Sequence, residues 1–363
     1  VVVGEVRGKE TYVLFQGMAS VPGDQKVMMV QDGKPKLTRI DEITDVSSCQ
    51  TVAFDPMTCE AKLLPVQAHI RHPERSELVK IRTKTGREIT ATPDHSLFTI
   101  GSQNQMVDVP AGVLKAGDKL AIAARIPCGY ANIGKLNLIE LIPNIRIYAP
   151  ELIKEASHKL GYYQASVVCG VASITDYYGN FRRASPASMK KDVFFSLIEA
   201  AGTLVEKSEL SVKLLRKSRP VPAEIELSDE FLRLLGYFIS EGTVNFSGKN
   251  SSFALYNKNP EVLEDMKHCL TKVTWLKPAE RVMTHGFGEA TELKIGNRIY
   301  AELLKALCGK GKEKRIPDFI FGLSKERIGQ FLSGLFTGDG HTTHQSFGYT
   351  TVLKELAQQL QQL

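Results

Sequence analysis

LLGYFISEG, Leu234 to Gly242, is almost entirely apolar until its last three residues, so it reads as a buried helix ending on a carboxylate, Glu241, before a stopping glycine. The C-terminal end of a helix carries the negative pole of its dipole and disfavours a carboxylate by about 0.3–1 kcal/mol. A second copy of the stretch, LSGLFTGDG from Leu332 to Gly340, repeats this pattern. Gly236 aligns with Gly334, Phe238 with Phe336, Glu241 with Asp339 and Gly242 with Gly340. In each copy small residues fall four apart, Gly236 with Ser240 and Gly334 with Gly338, giving each helix a strip with almost no side chain. Two such strips facing each other let the backbones approach closely, and both acids then emerge at the same end. Carboxylates gathered there repel one another unless a cation sits between them, and their hard oxygens suit Mg2+.

These residues resemble the two-motif LAGLIDADG (DOD-type) homing endonucleases. The resemblance implies an α+β domain with pseudo-twofold repeats that acts as a monomer on double-stranded DNA. It makes Glu241 and Asp339 the catalytic pair holding Mg2+, and Gly236, Ser240, Gly334 and Gly338 the helix-packing residues. KRIPDFIFGLSKERIGQFL, Lys314 to Leu332, is similar to the family's approach to its second motif. Lys314 or Arg315 is then expected to offset phosphate charge. SSFALYN and HTTHQSFGYTT would join the sheet that straddles the duplex.

Upstream, from Ser20 to about Pro127, short alternating strands are separated by Pro-Gly, Asp-Gly and Thr-Gly turns, which predicts an all-β unit. SVPGDQKV, Ser20 to Val27, resembles the amino-terminal block of inteins, and GREITATPDHSLFT, Gly86 to Thr99, resembles their second block. The resemblance implies a Hint-type splicing domain whose scissile bond is Ala19-Ser20. Ser20 places a hydroxyl directly after that bond, as an N-to-O acyl shift requires. Thr92 and His95 fit the two remaining needs, a donor to the oxyanion and a proton for the departing nitrogen.

Residues 1–19 would then be host protein, the N-extein. VVVGEVRGKETYVLFQGMA resembles the Walker B region of type II/IV secretion ATPases, with Glu5 as the catalytic glutamate and Arg7 as a nucleotide-linked arginine. The chain has no phosphate-binding Gly-rich loop to accompany it. Residues 136–225 read as helical and basic, either a linker or a helix-turn-helix with its turn at Gly170 and its second helix at Ser173 to Tyr178. Arg182, Arg183, Lys190 and Lys191, with Lys154 and Lys159, are the expected phosphate contacts of that region.

Composition sets the outer bounds. The chain has 363 residues, 43% hydrophobic and 24% charged, and a net charge of +6, the balance of a soluble protein with a mild bias toward polyanions. No apolar run reaches the length of a membrane span. Six cysteines without CxxC pairs argue against zinc and disulfide scaffolds and for reduced thiols in the cytoplasm. The expected organisation is an N-extein at 1–19, the N-terminal part of a splicing domain at 20–135, the basic region at 136–225, and a truncated DOD-type endonuclease at 226–363. With no terminal His-Asn pair, the chain reads as a fragment. The expected function is protein splicing with an embedded Mg2+-dependent endonuclease, whose partners are the host ATPase exteins and the intein-less host gene site. The alternatives are a secretion ATPase fragment carrying a catalytically inactive DNA-binding LAGLIDADG domain, and a DNA-binding regulator.

Overall fold

A computed structural model describes residues 2–3, 20–55, 57–71, 77–122, 133–171, 188–214, 218–247, 250–284, 288–342 and 347–363. The fold is a sheet-rich mixture of α and β. It divides into two compact units, one formed by residues 1–132, 317–328 and 354–363, the other by 133–316 and 329–353. Of the N-extein only Val2–Val3 is described, as a short strand; Ala19, Glu5 and Arg7 lie outside the described residues.

The first unit is built on β1 (Lys26–Gln31), β2 (Lys34–Arg39), β3 (Cys49–Asp55) and β4 (Glu60–Ala68). With Val2–Val3 they form an antiparallel sheet in the order Val2–Val3, β4, β3, β1, β2. The β1–β2 turn follows from its residues: Asp32 and Gly33 both adopt left-handed φ, 50° and 73°, the combination that a two-residue hairpin loop demands. Met29, Ile43, Cys49 and Val66 pack into one buried cluster. Two hairpins follow, β5 (Val79–Arg82) with β6 (Glu88–Ala91), and β7 (Ser96–Ile100) with β8 (Met106–Pro110).

This unit also holds the last helix, Lys354–Leu360, which the sequence reading assigned to the endonuclease region. Leu356 is buried, Lys354 pairs with Glu88, and Lys26 pairs with Glu355. Gln361 Nε2 donates to the Thr85 carbonyl at 2.7 Å while Arg87 donates to the Gln361 carbonyl at 2.8 Å. Opposite charges and these backbone contacts tie the segment to the β5–β6 hairpin and to β1.

In the second unit, the described part of residues 136–225 is not helical throughout, since short strands run through it. Arg146–Tyr148, inside the region read as helical, is a strand in a four-stranded antiparallel sheet with Ser188–Lys190, Ser211–Lys213 and Val221–Pro222. The helix α1 begins only at Pro150 and runs to Leu160, because proline is accommodated in a first helical turn but not inside one. Helices α2 (Tyr162–Val168) and α3 (Lys191–Ala200) complete this part. Gly170 closes α2 at φ 63°, but Ser173 to Tyr178, Arg182 and Arg183 lie outside the described residues.

Next comes α4 (Asp229–Glu241), which starts where Ser228 accepts the Phe231 N–H at 3.2 Å, with Asp229 and Glu230 on the favourable end of the dipole. The sheet that follows is antiparallel, in the order β9 (Gly242–Ser247), β10 (Asn250–Asn257), β12 (Glu289–Ile295), β11 (Ala279–Thr284). Between and after its strands lie α5 (Pro260–Thr274) and α6 (Arg298–Cys308). Helix α7 spans Lys325–Asp339 and leads into the short pair β13 (Gly340–Thr342) and β14 (Phe347–Tyr349). No helix among the described residues is long and apolar enough to cross a membrane. The five described cysteines carry free thiols.

Helices α4 and α7 meet at their glycines. A Cβ on Gly236 would overlap the Phe331 carbonyl and the Leu335 amide, and one on Gly334 would overlap the Arg233 carbonyl. Gly329, also in α7, has open space around it. Gly334→Ala is therefore expected to destabilise the protein by about 1–3 kcal/mol through overpacking. Gly329→Ala should stabilise it by about 0.5–1 kcal/mol, since alanine is the better helix former. Paired thermal melts of the two variants check the contrast.

Candidate catalytic sites

The α4–α7 contact determines where the two acids stand. Gly338 faces Ser240, and a Cβ on Gly338 would come within 2.9 Å of Glu241 Cγ. The structure thus brings Gly236, Ser240, Gly334 and Gly338 to one interface and Glu241 and Asp339 to its end. Gly242 does not stop α4 by a left-handed turn, as a glycine C-cap would: its φ is −98° and the chain runs directly into β9. Glycine is needed there because a Cβ would strike Phe238 one turn back.

Glu241 is half-buried, and burial first, then the charge of Asp339, pushes its carboxyl above the usual range. Asn257 Nδ2, at the end of β10, donates to Glu241 Oε1 at 3.2 Å. On the other side Tyr349, at the end of β14, donates its hydroxyl to Asp339 Oδ2 at 3.2 Å. Burial and that same aspartate hold the Tyr349 phenol well above its ordinary range. Each acid is thus held from the second strand of the hairpin that follows its own helix.

Lys314 completes the group. Its ammonium donates to the Ile239 carbonyl at 2.8 Å, satisfying one of the orphan carbonyls at the end of α4, and lies 5.6 Å from the centre of the Phe238 ring. Burial lowers its pKa while Asp339, Cys308 and Glu241 resist the shift. Arg315, the alternative in the sequence, turns away: its guanidinium donates to Ala306 O at 2.7 Å and its amide to Cys308 O at 2.9 Å, bracing the end of α6. Among the described residues no three His, Cys, Asp or Glu gather as a metal cluster. The donor set is two carboxylates, one of which carries an electrostatic penalty that a cation would relieve. This fits Mg2+, which keeps several waters and takes one or two carboxylates.

In the first unit Thr92 is 3% exposed, and its Oγ1 accepts the Ser20 N–H at 2.9 Å. The Thr92 amide donates in return to the Ser20 carbonyl at 2.9 Å, and the His95 amide donates to Thr92 O at 3.0 Å. A tight turn at Thr92–His95 therefore brings the Thr92 side chain to Ser20, with His95 three residues further along the same turn. Thr92 sits at the amide nitrogen of the Ala19-Ser20 bond, whereas the sequence reading offered it as an oxyanion donor. Burial keeps the His95 imidazole below its usual pKa, so it is neutral at pH 7.

Of the other basic candidates, Lys190 is exposed on its strand, and Lys191 donates to the Ile139 carbonyl at 3.3 Å. Sequence reasoning did not single out Asn257 or Tyr349. Both lie in the strands it assigned to the sheet, and only strand pairing shows that they reach the acids.

Comparison with known proteins gives a family model described as an intein splicing domain, matched over residues 27–360. A DNA polymerase of Thermococcus kodakarensis is 29% identical over 374 residues, taking in 87% of this chain and 21% of that protein. The DNA-directed RNA polymerase subunit Rpo1C of Methanocaldococcus jannaschii is 25% identical over 273 residues, 75% of this chain and 24% of that subunit. The chain therefore spans about a fifth to a quarter of these relatives. Among solved structures, an intein from a hyperthermophile aligns at 16% identity over 28% of this chain and 69% of that one, with a TM-score of 0.24. A variant of I-DmoI in complex with its nicked target DNA aligns at 15% identity over 32% of this chain and 63% of that one, also at 0.24.

The raised Glu241 pKa has a defined sign. The folded protein binds this proton more tightly than the unfolded chain, so the stabilisation is present below the ordinary glutamate pKa and is lost as pH rises through the folded value. Glu241→Gln removes that loss. The variant should gain stability over the wild type between about pH 4.5 and neutrality, as read by thermal melts along a pH series.

Proposed function

The chain belongs to the intein splicing-domain family, and on that premise we propose that its first unit carries out the opening acyl shift of splicing at Ala19-Ser20 while its second unit is a LAGLIDADG endonuclease. The reciprocal bonding of Ser20 with Thr92 is the observation that supports the first half. Ser20 Oγ attacks the Ala19 carbonyl carbon; the C–N bond breaks, an ester forms on Ser20 Oγ, and the Ser20 nitrogen leaves as an amine. Thr92 holds the amide N–H and orients the bond. His95, neutral at pH 7, takes the hydroxyl proton and returns one to the nitrogen. Residues 20–135 and the closing helix make up the Hint-type part of this proposal.

The second half rests on Glu241, Asp339 and Lys314 converging at the end of two glycine-packed helices. Bound there, Mg2+ would supply an activated water and charge stabilisation for phosphodiester hydrolysis in double-stranded DNA. Glu241 and Asp339 would hold it, Asn257 and Tyr349 fix their carboxylate orientations, and Lys314 adds a positive charge beside the phosphate. The secretion-ATPase host is proposed from the sequence of residues 1–19 alone. The DNA target would be the host gene lacking the insert, and the cell compartment the cytoplasm.

Two measurements test these assignments separately. Incubation with hydroxylamine should release residues 1–19, detected by mass spectrometry. Ser20→Ala should abolish release and His95→Ala should slow it by about 10²–10⁴-fold; continued cleavage of Ser20→Ala would refute the nucleophile. For the second unit, Glu241→Gln with Asp339→Asn should eliminate Mg2+-dependent nicking of an intein-less host-gene duplex while leaving duplex binding in place. Nicking that survives the double substitution would transfer the chemistry elsewhere.

A further inference from the structure

The two repeats carry matching clefts with unlike linings. One lies against Phe238 and the first residues of β9, Gly242, Thr243 and Val244. The other lies against Phe336 and the first residues of β13, Gly340, His341 and Thr342, the equivalent positions of the second repeat. The remaining walls differ. The first cleft is closed by the turn Lys310–Lys314, the second by Leu332 and Ser333 of α7. The described lining of the second cleft contains neither lysine nor arginine.

The turn is shaped to present its lysines. Gly309 and Gly311 take left-handed φ, 73° and 53°, and the sequence Lys310-Gly-Lys312-Glu-Lys314 sets a lysine at every second position. Lys314 is engaged with the Ile239 carbonyl, whereas Lys310 and Lys312 are exposed at the cleft. Glu313 also lines it, so three ammonium groups face one carboxylate and the cleft is net positive. It opens beside the end of α4 that bears Glu241 and whose Ile239 carbonyl accepts from Lys314.

We propose that the cleft between β9 and the Lys310–Lys314 turn seats a backbone phosphate of one DNA strand, and that its counterpart beside β13 grips the second strand more weakly. The proposal rests on the endonuclease reading. It makes the two halves of a repeated site unequal in their hold on DNA, with Lys310 and Lys312 supplying the difference.

Salt dependence of binding reads this without knowledge of the target. The probe is a 30-base-pair duplex of arbitrary sequence, and the whole chain is titrated by fluorescence anisotropy across a salt series. Losing that phosphate contact should reduce the slope of log affinity against log salt by about 0.9 in Lys310→Gln/Lys312→Gln. Lys310→Arg/Lys312→Arg should restore it. A charge-matched control, Lys135→Gln/Lys207→Gln, removes ammoniums already paired with Glu224 and Glu140 and should leave the slope unchanged. Ser333→Lys should steepen the wild-type slope by about 0.9 by adding a cation to the second cleft. An unchanged slope in Lys310→Gln/Lys312→Gln, or an equal fall in the control, overturns the seat and leaves the endonuclease reading standing. Absence of salt-dependent binding by the wild type overturns that reading and the seat with it.

Discussion

The close approach of α4 and α7 is the constraint on which the second unit depends. Helices separated by ordinary side chains would carry their end residues farther apart; here Gly236 and Gly334 each meet the backbone of the facing helix. That contact fixes the separation of Glu241 and Asp339, and their mutual repulsion follows from it. Ser240 and Gly338 extend the close approach to the last turn, where the acids stand. Much of the remaining unit holds this arrangement in place: β10 and β14 each send one donor to an acid, and Lys314 ties the turn after α6 to the Ile239 carbonyl of α4.

An electrostatic penalty is built into this design. Glu241 and Lys314 stand beside Asp339 at the negative end of a helix, and burial pushes each of the two toward its neutral form. Isolated, such a group weakens the fold. Under the proposed function, a cation and a phosphate would make the same charges complementary, and the stability given up in the free protein would reappear as differential binding of the ligand.

What the sequence revealed and what it hid differ in range. Glu241 and Asp339 were legible because an internal repeat exposes them against a helix pattern, and Thr92 and His95 because a short block contains both. The choice between Lys314 and Arg315 was not legible, since adjacent residues in a turn point in different directions and only packing against α6 decides which way. Asn257 and Tyr349 were hidden because strand pairing, not local spacing, carries them to the acids. The strands within 133–226 are only two or three residues long, too short for alternation to register, so the intervening helices dominated the pattern. The helix Lys354–Leu360 falls inside the region the sequence assigns to the endonuclease, because its ion pairs with Glu88 and Lys26 connect distant parts of the chain and leave no local pattern.

That last helix bears on how the protein assembles. The bond from Arg87 to Gln361 closes a loop of 274 positions, most of which belong to the second unit. Closing so long a loop through unstructured chain carries an entropic cost that grows with its length. A folded insert shortens the effective loop, so the ordering of one unit lowers the cost of completing the other. During synthesis the first unit must wait for its closing segment until the whole insert has left the ribosome. The order of the chain thus acts as a clock, in which the β unit gains the Lys354–Leu360 helix only after the second unit has been made.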